Sequence, residues 1–532
     1  MEQALTPVDF FPPGTTWNDI VSAHAARHAD RPALVLGDVS ITYGQLKRLV
    51  DHCAEHFSRL GIRRGDCIAL LSTPRPEALI TFLASAKLGA LWVGLNPRYQ
   101  VREIHYVIDH ARPTLLLSMQ GFEERDYAAD IDAALGDVAP EAAPRVIVYD
   151  AQDASTDALF GALALATASA GAIDAAQTDR GTEHDPCMLV YTSGTTGKPK
   201  GVLLRQRELI FRSTVQARTF VTRSHPVVIN FAPINHIGGM HFRGLSQILP
   251  AGTIIYQDRY RTADVLGLIR RHQVNVLMLG STMLQMLLEE PAFDMDVLRT
   301  MEWFIFSGSA IPMPILKKMH AHCPRIGSTY GLTESCGSVT YIQASDTLDD
   351  MAFTVGRSIP DGETRVADES GLPLPPGEQG ELQLRSEYCM AGYLRDEPAT
   401  RAAFTADGWL KTGDLAVARP DGTIRLVGRI KEMYKSGGYN VYPREVELVL
   451  EQHPSVMLSA VIAVDDPRYQ QVGHAYLIAQ PDAVLSEQEL SSWCRERLAN
   501  YKVPKRIHVC ASLPMLSIGK VDKMALRSRQ QG

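Results

Sequence analysis

The sequence predicts an α/β protein. A large N-terminal domain of α/β layers carries a β-rich subdomain, and a small α+β domain follows at the C-terminus. Three observations lead there. A chain of 532 residues is too long for one hydrophobic core. Short apolar runs of strand length alternate with helical patterns, as in largely parallel sheets buried on both faces. The pattern then changes twice, to β-like from Gly380 to Gly428 and to a helix–strand mixture after Arg429.

In chain order, the buried-strand candidates are Cys67 to Leu71, Thr114 to Leu117, Val146 to Tyr149, Val274 to Met278 and Trp303 to Phe306. The stretch from Ala151 to Thr182, rich in Ala, Ser, Asp and Thr, reads as a surface helix and loop. Gly371 to Gly377 reads as a hairpin or tight loop. Asp407-Gly408 and Asp421-Gly422 are turn signals within the β-like stretch. Glu445 to Gln452 and Glu487 to Leu498 read as helices flanking the apolar run Leu458 to Val464. No internal repeat is visible.

Composition narrows the class. Hydrophobic residues are 45% and charged residues 21%, ordinary for a soluble globular chain. A net charge of -7 disfavours general nucleic-acid binding, which needs a basic surface. The eight cysteines are scattered, with no C-x-x-C and no zinc spacing, so reduced and mostly buried thiols are expected. The N-terminus lacks a basic-then-apolar leader, and the uncharged run Ala158 to Ile173 is too short and too polar to span a membrane. A cytoplasmic protein is expected, monomer or homodimer.

The densest chemical signal is Tyr191-Thr192-Ser193-Gly194-Thr195-Thr196-Gly197-Lys198-Pro199-Lys200-Gly201. Glycines let backbone approach phosphates, and hydroxyls and lysines supply donors. Four hydroxyl residues and two lysines in eleven positions make a poor random surface loop. A Walker A loop, G-x-x-x-x-G-K-S/T, is not satisfied, because Pro199 follows Gly197-Lys198 and offers no hydroxyl.

That stretch resembles the phosphate-binding loop of the adenylate-forming superfamily of acyl- and aryl-CoA synthetases, peptide-synthetase adenylation domains and beetle luciferases. The later motifs match in order over essentially the whole chain. Tyr330-Gly331-Leu332-Thr333-Glu334 resembles Y-G-x-T-E. The resemblance implies that Tyr330 stacks on adenine, Thr333 meets the α-phosphate and Glu334 holds Mg²⁺. Gly308-Ser309-Ala310 is similar to the G-G-A adenine segment, with Ser309 in place of a common Gly. Trp409 to Asp414 resembles W-x-x-T-G-D, which implies that Asp414 binds the ribose diol. Gly428-Arg429-Ile430-Lys431-Glu432 resembles G-R-x-K-D, with Glu432 for the usual Asp. It implies that Arg429 reaches the nucleotide and Lys431 is the hinge between domains 1–430 and 431–532. Gly437-Gly438 opens a G-G-x-N-x-x-P-x-E-x-E match and is implied to admit the pantetheine arm of the thiol donor; a plain β-turn is the rival reading. Pro514 to Lys520 resembles P-x-x-x-x-G-K, whose lysine is the adenylation lysine.

The implied reaction is ATP-dependent adenylation of a carboxylic acid, then thioester formation with coenzyme A, releasing AMP and pyrophosphate. A carrier-protein phosphopantetheine is the alternative acceptor. Lys520 would bridge carboxylate and α-phosphate, Thr195, Thr196 and Lys198 would steady pyrophosphate, and Mg²⁺ would sit on Glu334. Pro233 to Gly239 resembles the acyl-pocket segment P-x-x-H-x-x-G, so His236 is implied to shape the carboxylate end; a hydrogen-bonded core histidine is the rival. No Asp stands between Phe231 and Met240, which disfavours α-amino acids. Small residues at 238, 239, 308 and 309 leave room for fatty or other hydrophobic acids, with aryl and cinnamate-type acids open.

Overall fold

The computed structural model describes residues 11–151, 154–168, 180–192, 198–222, 225–307, 311, 313–323, 325–359, 362–480, 483–515 and 521–530. The expected buried strands are present, and the apolar runs dictate where. Cys67–Leu71, Leu91–Leu95 and Leu115–Met119 are buried at every position. They pair in parallel inside a seven-stranded sheet in the order Gly392–Tyr393, Lys200–Arg205, Pro186–Thr192, Leu91–Leu95, Cys67–Leu71, Leu115–Met119, Arg145–Tyr149. Helices cover them with apolar stripes. Tyr43–Arg59 buries Leu46, Val50, Cys53 and Phe57, and starts at Thr42 in a capping box with Gln45.

The strand direction reverses at one place that matters. Pro186–Thr192 runs antiparallel to Lys200–Arg205, and Thr192 faces Lys200 in the ladder. The two ends of the glycine-rich stretch, Thr192 and Lys200, are thereby held side by side in neighbouring strands.

A second sheet places Val276–Leu279, Trp303–Ser307 and Ile326–Leu332 in parallel, then adds Gly337–Ile342 and Arg357–Ser358 antiparallel. The Y-G-x-T-E motif lies where Ile326–Leu332 turns back into Gly337–Ile342. Gly331 is required there, since a Cβ would meet Gly337 O at 2.0 Å. A four-stranded sheet joins Val227–Asn230, Thr253–Tyr256, Pro32–Leu36 and Val39–Thr42.

The β-like stretch forms an antiparallel sheet of Glu363–Ala367, Gln379–Arg385, Leu410–Ala418 and Ile424–Arg429. Residues 371–377 lie in the hairpin connection between its first two strands, as expected. One element departs from the expected pattern, the helix Glu397–Ala403. Asp396 caps it by accepting from Ala399 N–H at 3.0 Å, and Pro398 sits in its first turn, a start signal the strand-like surroundings outweighed. The segment read as a surface helix is Asp157–Ala168; it buries Leu159 and Leu163 in the main core, and residues 169–179 lie outside the described ones.

The last hundred residues have a core of their own, with Tyr434, Val446, Leu450, Val461, Leu477 and Leu490 packed together. Strands Val456–Asp466 and Gln470–Ala479 carry it, and Pro443–Glu451 and Glu487–Arg497 are its helices. Helix Lys523–Gln530 packs Leu526 on Ala460 and Ile462, and Lys523 ties it both to this unit and to the connecting turn. Lys523 Nζ meets Glu432 at 2.7 Å and buried Glu447 at 2.8 Å. Burial alone would raise the Glu447 carboxyl, but Lys523 and Arg444 outweigh it and hold it below its ordinary value. Lys523→Met is therefore expected to cost about 2 kcal/mol, because it leaves a buried carboxylate short of a partner. Thermal unfolding at neutral pH checks this. The Lys523 contribution disappears as acid protonates Glu447, so parent and variant midpoints should converge below the ordinary carboxylate range.

All eight cysteines are free, seven buried and Cys510 partly exposed. No described helix is long and apolar enough to cross a membrane.

Candidate active site

The rim of the site is built first by the helix Val101–Ala111, which braces both ends of the glycine-rich stretch. The Tyr106 hydroxyl donates to Pro199 O at 2.6 Å, and His110 Nδ1 shares a 2.8 Å hydrogen bond with the Tyr191 hydroxyl. Thr192 is half-buried at the strand end, and Lys198 is exposed. Ser193, Gly194, Thr195, Thr196 and Gly197 lie outside the described residues, as do Gly308, Ser309, Ala310 and Lys520. An isolated bridge between Met515 and Val521 closes the chain on either side of Lys520.

Two clusters converge below the rim. In the first, the Tyr330 hydroxyl donates to Asp414 Oδ2 at 2.7 Å, and Arg429 Nε meets Asp414 Oδ1 at 2.8 Å. Asp414 and Arg429 are direct ladder partners across strands Leu410–Ala418 and Ile424–Arg429. Asp414 is only 4% exposed. Burial and the adjacent carboxylate push the Tyr330 phenol well above its ordinary range, so it stays a donor. Each Asp414 oxygen keeps a second lone pair for another hydroxyl.

In the second cluster, the Tyr393 hydroxyl donates to Glu334 Oε1 at 2.9 Å, and Lys200 Nζ lies 4.9 Å from the centre of the Tyr393 ring. Met390 N–H donates to Glu334 O at 2.8 Å and fixes the backbone there. Thr333, beside Glu334, is buried. Tyr393 and Lys200 are residues that reading the motifs missed. Lys200 stands in the quoted loop, whereas Tyr393 reaches Glu334 only because Gly392–Tyr393 adds to the edge of Lys200–Arg205.

Lys431 joins the clusters. Burial, then Arg429 and Lys200, lower its ammonium, while Glu334 and Asp414 act the other way. The Lys431 side chain is exposed. Among the described residues no group of three or more His, Cys, Asp or Glu could hold a metal ion. A hard cation here would rest on Glu334, whose carboxylate Tyr393 orients, with the remaining oxygens supplied by substrate.

His236 opens the helical segment Gly238–Leu245, and its Nδ1 accepts from Gly238 N–H at 3.0 Å. That assigns the ring proton to Nε2. Gly239 cannot be larger, since a Cβ would lie 2.4 Å from Pro233 O. Gly437 and Gly438 form a two-residue hairpin turn between Tyr434–Ser436 and Tyr439–Val441, with φ of +58° and +87°, as a type I′ turn demands. The β-turn reading of this pair holds, and the pair is exposed, so its backbone is accessible to a ligand.

Two family models match the chain: AMP-binding enzyme over residues 21–394, and AMP-binding enzyme C-terminal domain over residues 445–520. The 3-[(3aS,4S,7aS)-7a-methyl-1,5-dioxo-octahydro-1H-inden-4-yl]propanoyl:CoA ligase of Mycobacterium tuberculosis is 34% identical over 94% of this chain and 96% of its own. Feruloyl-CoA synthase of an Amycolatopsis species is 31% identical over 93% of this chain and 94% of its own. Among solved structures, the o-succinylbenzoate CoA synthetase of Bacillus subtilis, in complex with its acyl-adenylate intermediate, superposes with a TM-score of 0.79 at 26% identity, covering 98% of this chain and 99% of that one.

Proposed function

The chain belongs to the AMP-binding enzyme family and is an AMP-forming acid–thiol ligase, and from that premise we propose which of its residues carry the reaction and what acid it takes. Its two half-reactions are ATP-dependent adenylation of a carboxylic acid and transfer of the acyl group to coenzyme A.

The chemistry sets the task. A carboxylate is a poor acyl donor because oxide would have to leave. Attack of its oxygen on the α-phosphorus of ATP expels pyrophosphate, and AMP then leaves readily when a thiol attacks the acyl carbon. The protein must position the reactants and neutralise charge, without a covalent nucleophile. The observation that carries our assignment is the convergence of Tyr330–Asp414–Arg429 with Tyr393–Glu334–Lys200 around Lys431.

In this reading Tyr330 offers its ring face to adenine, and Asp414 accepts from the ribose hydroxyls with its spare lone pairs. Gly308, Ser309 and Ala310 border the adenine, and Arg429 faces the nucleotide. Thr192 to Lys198 and Thr333 line the phosphates. Glu334 would hold Mg²⁺, which supplies charge neutralisation on the phosphate oxygens. His236 places the acid's carboxylate and Lys520 bridges it to the α-phosphate. The acid is fatty or otherwise hydrophobic. Residues 1–430 and 431–532 act as two domains pivoting at Lys431, and Gly437-Gly438 faces the pantetheine arm.

Asp414→Ala is expected to raise the KM for ATP about tenfold, through loss of the ribose acceptor and of the Tyr330 anchor. Saturation kinetics at fixed acid measure it. The test of the reading as a whole is pyrophosphate release over a panel of acids, each with and without coenzyme A. Release with thioester formation is expected; no release with any acid contradicts it, and release without thioester points to a carrier-protein acceptor.

A further inference from the structure

Arg243 lies in the Gly238–Leu245 segment that opens on His236, and it is 8% exposed. Its Nη2 donates to Met278 O at 3.0 Å and its Nη1 to Gly238 O at 3.4 Å. The guanidinium lies 5.3 Å from the centre of the Phe231 ring. Its Nε is buried with no partner, and among the described residues no carboxylate is paired with it. Arg75, comparably buried, meets Glu77 at 3.4 Å. Among the described residues Arg212 also lacks a carboxylate: its Nε donates to Ser335 O, its Nη1 and Nη2 are buried without a partner, and its charge lowers His241 rather than facing His236.

Position gives the unpaired cation a meaning. A Cβ at Gly238 would sit 2.9 Å from His236 Nδ1 and 3.8 Å from Arg243 Nη1. The guanidinium is thus about one side-chain length from His236. Burial lowers Arg243 to about 10, which leaves it charged at neutral pH. A buried charge without a counter-ion is costly, and a guanidinium fork matches a carboxylate with two parallel N–H donors. Phe231 and Met278, which the guanidinium meets, are apolar residues.

We propose that Arg243 determines specificity by pairing with a second carboxylate of the acid, so that the hydrophobic acid proposed above carries a distal carboxylate at the far end of its hydrocarbon body. This rests on the acyl-pocket role proposed for His236. The reacting carboxylate lies at His236, the hydrocarbon lies against the apolar neighbours, and the distal carboxylate supplies the missing counter-ion.

The test compares diacids with monoacids of matched shape: adipate with hexanoate, suberate with octanoate, and terephthalate with p-toluate. Pyrophosphate release gives kcat/KM for each, in the parent and in Arg243→Met and Arg243→Lys. The parent should prefer the diacid in at least one pair. Arg243→Met should lose about 100-fold on that diacid, while the monoacid and the KM for ATP stay within about threefold. Arg243→Lys should recover part of the loss. A purely structural role would lower both acids together. A monoacid preference in every pair, or an unchanged diacid-to-monoacid ratio in either variant, overturns the proposal. A parent that releases no pyrophosphate with any acid contradicts the ligase reading instead. In that event a diacid that raises the unfolding midpoint of the parent but not of Arg243→Met still supports the site, and no such difference overturns it.

Discussion

Lys520→Ala is expected to slow adenylation by about a thousandfold, while a supplied acyl-adenylate still reacts with coenzyme A at close to the parent rate. Two anions meet in the first step, the substrate carboxylate and the α-phosphate. In the proposed reading the Lys520 ammonium offsets both the approach and the charge that develops on the phosphoryl oxygens, and removing such a group costs a factor of this order. The second step joins a thiol to an already activated carbonyl and does not need it. Pyrophosphate release measures the first step, and thioester formation from synthetic acyl-adenylate measures the second. Equal losses in both would show that Lys520 acts structurally.

Lys431→Pro is expected to do the reverse, lowering thioester formation about 100-fold with adenylation within a few-fold of the parent. Ile430–Glu432 is a single short turn between the strand Ile424–Arg429 and the hairpin that begins at Tyr434. In the proposed reading the small domain rotates about this turn, which would need φ and ψ freedom there, and proline fixes φ. The substitution also deletes an ammonium near Glu334 and Asp414, so Lys431→Ala is the control. If Lys431→Ala reproduces the whole loss, charge matters and the hinge assignment fails. A Lys431→Pro enzyme with full thioesterification fails it too.

What was legible in the sequence was local. Runs such as Cys67 to Leu71 announce a buried strand because every position needs to be apolar between two helical layers. The motifs were legible because each is contiguous and carries its chemistry in its own residues. The helix Glu397–Ala403 was not, because seven residues give too little periodicity to compete with strands on either side. Long-range partners were not legible either. Tyr330 and Asp414 bond across 84 positions, and Tyr393 and Glu334 across 59. Nothing in either local pattern encodes the partner, and the pairing exists only once strand Gly392–Tyr393 and strand Ile326–Leu332 are in place. Arg243 was passed over for the same reason: an arginine two places after Met-His looks like any helical arginine until its burial and missing counter-ion are seen.

The central claim is that one site activates the acid as an acyl-adenylate before the thiol arrives. A carboxylic acid labelled with heavy oxygen in its carboxyl group tests it most directly. With ATP and coenzyme A present, mass spectrometry should find one labelled oxygen in AMP for each thioester formed, because the attacking carboxylate oxygen stays on the α-phosphorus when the thiol displaces AMP. Label found in inorganic phosphate, with ADP as the nucleotide product, would contradict the account.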